Sequence, residues 1–130
     1  MCRSVMIKGL ESLLVESLAS ARAYGVEDRV VASLHETFPE LDWEKVASYM
    51  VSRTALHGKR RAEEMREVAV TVREAGLDPW MASATAERQD WMAASKEPAH
   101  LAQVAKDANW REYADRLLAA VAARRTSAAD

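Results

Sequence analysis

Apolar residues recur every three or four positions along most of the chain, and glycines and prolines interrupt the recurrence at a few points. Over residues 4–24, Met6, Leu10, Leu13, Leu14, Leu18, Ala21 and Tyr24 fall on one helical stripe, and Gly25 follows as a terminator free to adopt positive φ. At about 1.5 Å per residue such a helix is roughly 30 Å long, the width of a small domain. Gly9 lies inside it. A glycine there costs up to about 1 kcal/mol, which suggests a close backbone contact at that position.

The same reading predicts five further helices. Val30, Val31, Leu34 and Phe38 form the inner side of a helix over 27–37, ended by Pro39. Asp42 has the character of an N-cap for a helix over 43–56, with Trp43, Val46, Ala47, Met50 and Val51 inward and Gly58 closing it. Ala62, Met65, Val68, Ala69 and Val72 mark a helix over 59–75, stopped by Gly76. Asp78 and Pro79 start another that runs to about Ala94. Pro98 makes a break, and a last helix covers 109–124 with Trp110, Tyr113, Leu117, Leu118 and Val121 inward. The closing TSAAD is expected to fray. No run of β-branched residues alternates with polar ones as a strand would. The fold class is therefore all-α, about six helices with a long N-terminal one. Residues 1–94 form a helical domain, 95–130 are a helical extension of it, and 95–108 is the expected hinge.

Composition narrows the classes. The chain has 130 residues, enough for one core, with 49% hydrophobic residues, 29% charged residues and a formal net charge of -2. A nearly neutral chain is a poor candidate for a nucleic-acid binder, whose domains are usually clearly basic. The single cysteine, Cys2, excludes an internal disulfide and a cysteine-based zinc site and fits a cytoplasmic location. No apolar run approaches the roughly 18–20 residues that cross a bilayer, and Lys8 and Glu11 interrupt what would be the apolar core of a signal peptide.

Few residues carry obvious chemistry. His35, His57 and His100 are not spaced as metal ligands, and the chain contains no phosphate-binding loop, G-x-S-x-G or G-x-G-x-x-G. The stretch LHGKRRAEEMRE is the densest in charge. His57 before Gly58 suits a helix C-terminus, and it also suits a polar group aimed into a cleft. Arg60 and Glu64 are placed to pair at i, i+4, and Glu63 and Arg66 at i, i+3. Arg61 lies on the apolar side with no evident partner, where its planar fork would suit a carboxylate or phosphate. Arg3 and Lys8 sit at the start of the first helix, whose dipole does not favour cations. Trp80 and Trp91 are expected as core or interface anchors.

The strings MCRSVMIKGLESLLVESLASARAYGVE and HGKRRAEEMREVAVTVREAGLDPWMASATAERQDWM resemble the helical C-terminal domain of the 3-hydroxyisobutyrate and 6-phosphogluconate dehydrogenase superfamily. The resemblance is nearest to the branch of phosphogluconate dehydrogenase-like NAD-binding proteins and covers about residues 1–93. It implies a 6-phosphogluconate dehydrogenase C-terminal-like fold, which supplies the dimer interface and half of a substrate cleft beside a Rossmann domain that binds NAD or NADP. The family's acid–base lysine would directly precede Met1, so the resemblance places no catalytic residue in this chain and no cofactor on it alone. Ser4 falls where relatives have a substrate-positioning asparagine, and Arg3 where phosphogluconate enzymes have histidine. Ile7 replaces their catalytic glutamate, which speaks against 6-phosphogluconate decarboxylation. Lys8 falls at a substrate-phosphate contact. The hydroxyisobutyrate branch has a KDL motif, and Glu63-Glu64-Met65 stands there instead. The local positive charge then passes to His57, Arg60 or Arg61.

Two functions follow. The first is the substrate-binding and dimerisation domain of an NAD(P)-dependent oxidoreductase of small hydroxy acids, inactive alone. Its substrate residues are Arg3, Ser4, Lys8, His57, Arg60 and Arg61, and it has no metal. Its partners are a second copy, a Rossmann domain in cis or trans and a small anionic substrate, with no nucleic acid or membrane. The second is a stand-alone interaction module that kept the fold and lost the enzyme. The dimer is expected because Val5, Ile7 and Val15 lie beyond the main stripe of the first helix.

Overall fold

The computed structural model describes residues 1–95 and 108–129. They form α1 (Cys2–Tyr24), α2 (Glu27–Thr37), α3 (Trp43–Glu74), α4 (Trp80–Ser95) and α5 (Trp110–Ala129). Among the described residues there is no strand, and the fold is all-α. Pro98, His100 and most of the expected hinge lie outside the described residues.

The helix ends follow from local chemistry. Gly25 adopts φ 69° and Gly76 φ 93°, conformations that a side chain would strain. At both, paired backbone bonds close the helix. Gly25 N–H donates to Arg22 O at 3.1 Å and Val26 N–H to Ala21 O at 3.0 Å, and Gly76 and Leu77 repeat the pattern on Arg73 and Val72. The Asp42 carboxylate accepts the Lys45 N–H at 3.2 Å and caps α3. At the other end of the chain, α5 continues to Ala129 where fraying was expected from Thr126.

The helices expected over 43–56 and 59–75 are one element. α3 runs for 32 residues, with a kink at His57 (φ -129°, ψ 16°). Gly58 does not end a helix. A Cβ on it would stand 2.6 Å from the carbonyl oxygen of Gln89 and 3.3 Å from the nitrogen of Ala93, so glycine lets the α4 backbone touch α3 at the bend. The close approach anticipated at Gly9 is absent. A Cβ there would meet only Thr85 Oγ1, at an ordinary 3.8 Å.

Two apolar clusters hold the helices. The larger joins Leu14, Val15 and Leu18 of α1, Trp43, Ala47 and Val51 of α3, Met92 of α4 and Trp110, Tyr113 and Leu117 of α5. Val30, Val31 and Leu34 of α2 rest on it half-buried, whereas Phe38 is largely exposed. The smaller joins Met65, Val68 and Ala69 of α3 with Ala82 and Ala86 of α4, and Val5 and Val72 pack on it. Ion pairs fasten α5 from outside. Arg111 grips Glu44 with both nitrogens, at 2.7 and 2.9 Å, and Trp110 Nε1 donates to the same carboxylate at 3.0 Å.

The buried face of α1 is rotated from the expected stripe. It consists of Glu11, Ser12, Leu14, Val15, Leu18 and Ala21. Met6, Leu13 and Tyr24 are exposed, at 72%, 63% and 84%, whereas Val15, expected outside, is buried. The reason is chemical: Glu11 is a charged residue that faces inward, against a partner on α3. Trp91 packs half-buried on the larger cluster, but Trp80 is 74% exposed and belongs to neither cluster of the described residues.

Candidate functional site

The first half of α1 lies against the second half of α3, and two ion pairs form rungs between them. Lys8 Nζ stands 3.1 Å from Glu64 Oε2, and Arg61 Nη1 donates to Glu11 Oε1 at 2.6 Å. Val5 reaches the cluster that holds Val68, so the two segments run antiparallel. Arg60 joins the first rung, with its Nε 3.7 Å from Glu64 Oε1, as the i, i+4 spacing indicated. Glu63 does not pair with Arg66. Arg66 turns to Asp90 on α4, and Glu63 faces the kink.

The kink opens a cavity of about 440 Å³ between α3 and the end of α4, lined by His57, Gly58, Lys59, Arg60, Glu63 and Ala93 among others. Arg60 belongs both to this cavity and to the rung that carries Lys8. Arg60 thus links the cavity that His57 lines to the rung that carries Lys8, and Arg61 forms the next rung. Ser4 lies one turn before Lys8 and is half-buried, and Arg3 is exposed.

Arg61 is not the unpartnered guanidinium that its neighbours in sequence suggested. It is 7% exposed and its carboxylate partner is Glu11, which is 1% exposed. The missed residue was therefore Glu11. Its signal was present: an acid between Leu10 and Leu14 and a base beside Ala62 are charges on two apolar faces, and charges so placed are rarely buried without one another. Gln89 was missed as well. It is fully buried on α4 beside Gly58, and its amide atoms, with Ser12 Oγ, Glu11 Oε2 and Arg61 Nε, make no hydrogen bond among the described residues.

The two acids differ in character. Burial pushes the Glu11 carboxyl above the ordinary carboxylate range, against the pull of Arg61, Lys8 and Arg53. The hydrogen bond from Lys8 holds Glu64 below that range, with help from the charges of Lys8, Arg60 and Arg61. Glu64 is thus a firm anion that fixes the Lys8 ammonium. Among the described residues, no three of His, Cys, Asp and Glu gather as metal ligands. No described helix is long and apolar enough to cross a membrane.

Residues 21–92 match the family model described as "Domain of unknown function (DUF1932)". The chain belongs to the DUF1932 family. The DUF1932 match takes in α2, α3 and most of α4, hence Arg60, Arg61 and Glu64, while Lys8 and Glu11 on α1 lie ahead of it. No curated protein matches the chain. Among solved structures, it resembles the crystal structure of the conserved hypothetical protein from Sinorhizobium meliloti 1021, at 42% identity and a TM-score of 0.82. That likeness covers 92% of this DUF1932 chain and 39% of the other protein.

Proposed function

We propose that this DUF1932 chain is the substrate-side and dimerisation part of a cytoplasmic NAD(P)-dependent oxidoreductase of small hydroxy acids. It would work with a nucleotide-binding domain joined in cis or supplied in trans. The supporting observation is the shape of the match to the Sinorhizobium meliloti protein. With 92% of 130 residues equal to 39% of that chain, roughly 190 of its residues lie outside the likeness, room for a complete second domain.

The residues present do not fit the cofactor. The four glycines stand at 9, 25, 58 and 76, so no G-x-G-x-x-G exists to cradle a pyrophosphate. Hydride chemistry therefore belongs to the companion domain, and no redox step runs through these side chains. Their part is to bind and orient. Lys8 and Arg60, sharing Glu64, leave an excess positive charge for a substrate anion at the α1–α3 junction. Ser4 and His57 add hydrogen-bonding groups beside it, Arg3 adds an exposed charge one residue ahead of Ser4, and Arg61 holds the junction together from inside through Glu11.

The test is turnover by the 130-residue chain and by a polypeptide that adds the nucleotide-binding domain, with NAD⁺ or NADP⁺ and a panel of 2- and 3-hydroxy acids. The expected result is activity only in the longer polypeptide, with a raised KM for Lys8→Met. Turnover by the chain alone would overturn the reading. A stand-alone interaction module is the other reading, and Trp80, so widely exposed, is the observation that favours it. Absence of any nucleotide-binding domain encoded beside or interacting with the chain would select it.

A further inference from the structure

We propose that the outward face of α1 binds the same face of a second copy, antiparallel, about a two-fold axis passing near Gly9 and Leu10. This rests on the dimerisation part of the reading above and names its surface and register. α1 has two apolar faces. One is buried in the core, and the other carries Met6 and Leu13, which both stand largely in solvent. Between them, Gly9 and Leu10 line a groove of about 600 Å³ that α1 forms with α4. The groove is apolar along its length and carries charge at its rim, the arrangement expected of a protein contact.

The pattern along this face is self-complementary. An antiparallel copy centred between Gly9 and Leu10 sets Met6 opposite Leu13, Gly9 opposite Leu10 and Arg3 opposite Glu16. Each contact occurs twice, as a two-fold interface requires. The oblique i, i+3 rows Arg3–Met6–Gly9 and Leu10–Leu13–Glu16 come alongside one another when the two helices cross at a tilt. Gly9 suits the crossing point, because its missing side chain leaves no packing defect within the chain. Charge selects the antiparallel direction. Arg3 is exposed and makes no ion pair among the described residues, while Glu16 pairs with Arg88 of α4 and keeps more than half of its side chain in solvent. The second copy's Arg3 would complete an Arg–Glu–Arg bridge at each end of the contact. A parallel arrangement would set Arg3 against Arg3 and Glu16 against Glu16.

Sedimentation equilibrium of the 130-residue chain tests this, with melting at low concentration to confirm that each variant folds. The wild-type chain is expected to dimerise. Arg3→Glu and Glu16→Arg each turn two attractions into two repulsions and should raise Kd about 10- to 100-fold. Mixing these two variants in equal amounts restores both opposite-charge pairs in the heterodimer, so its Kd should return to within about threefold of the wild type. Leu13→Glu should abolish association. A dimer indifferent to the charge changes, or not rescued by mixing, overturns the register and leaves dimerisation standing. A chain that stays monomeric throughout the accessible concentration range overturns the dimer itself, while the substrate-side reading still rests on its turnover assay.

Discussion

The Glu11–Arg61 pair offers the sharpest test of how α1 is held to α3. The perturbation is Arg61→Met, which keeps most of the side-chain volume and removes the charge. Glu11 would then have either to stay charged in the interior without its counter-ion or to take up a proton, with one oxygen already lacking a partner and the other newly deprived of its 2.6 Å hydrogen bond. Leaving one member of a buried pair uncompensated costs about 3–5 kcal/mol. For a domain of this size that is a fall in Tm of roughly 10–20 °C. Glu11→Leu alone should cost a similar amount, because it strands the guanidinium. The double variant Glu11→Leu/Arg61→Met should recover most of the loss or exceed the wild type, since removing both desolvated charges is neutral or stabilising by about 1–4 kcal/mol. Circular dichroism at 222 nm during urea and thermal unfolding reads all four proteins. The reasoning also fixes a pH signature. The folded-state pKa of Glu11 is raised by burial, so the fold binds this proton more readily than the unfolded chain. The Glu11 contribution is therefore most favourable below the ordinary carboxylate pKa and is lost as pH rises through the raised value. Glu11→Leu should remove that component of the pH dependence. Single variants that cost less than about 1 kcal/mol, or a double variant as damaged as the singles, would refute the buried pair as the clamp between these helices.

Other consequences are more local. Gly58→Ala should destabilise the chain by a few kcal/mol in urea titration, because its Cβ would meet backbone atoms of α4 that cannot step aside. Gly9→Ala should stabilise dilute protein by up to about 1 kcal/mol of helix propensity, read as a higher Tm, since the site has room within the chain. Glu44 is held below the ordinary carboxylate range chiefly by its hydrogen bonds from Arg111, so its contribution is present above the unfolded pKa and fades as pH falls through the lowered one. Acid titration followed by near-ultraviolet dichroism of Trp110 should show this loss, and Glu44→Ala should blunt it. In the longer active polypeptide, Glu64→Gln should raise KM more than it lowers kcat, because Glu64 fixes the Lys8 ammonium without touching substrate.

The legible part of the fold was the part written in local chemistry. Gly25 and Gly76 end helices because each adopts a left-handed conformation, and Asp42 caps α3 with its own carboxylate. What escaped the sequence was written across the fold. Gly58 looks like a terminator until the Gln89 carbonyl is placed against it, and nothing in residues 56–60 announces a helix thirty positions away. The rotation of α1 has the same origin. Counted as polar, Glu11 pushes the apparent apolar stripe toward Met6 and Leu13, and only the facing Arg61 shows that an acid can lie within. At the candidate site, the Arg60–Glu64 pair was readable from spacing within one helix. The rungs to Lys8 and Glu11 were not, since spacing on one helix carries no register relative to another.

α5 bears on where this fold ends. The match to the family stops at residue 92, yet Trp110, Tyr113 and Leu117 enter the centre of the larger cluster from beyond that point. A fragment trimmed to the matched segment would be a socket without its plug. Trp43, Ala47 and Val51 would face water, and the trimmed protein should expose sticky surface and precipitate. The terminal helix is thus a working wall of the molecule, and expression designs guided by the family match alone would demolish it.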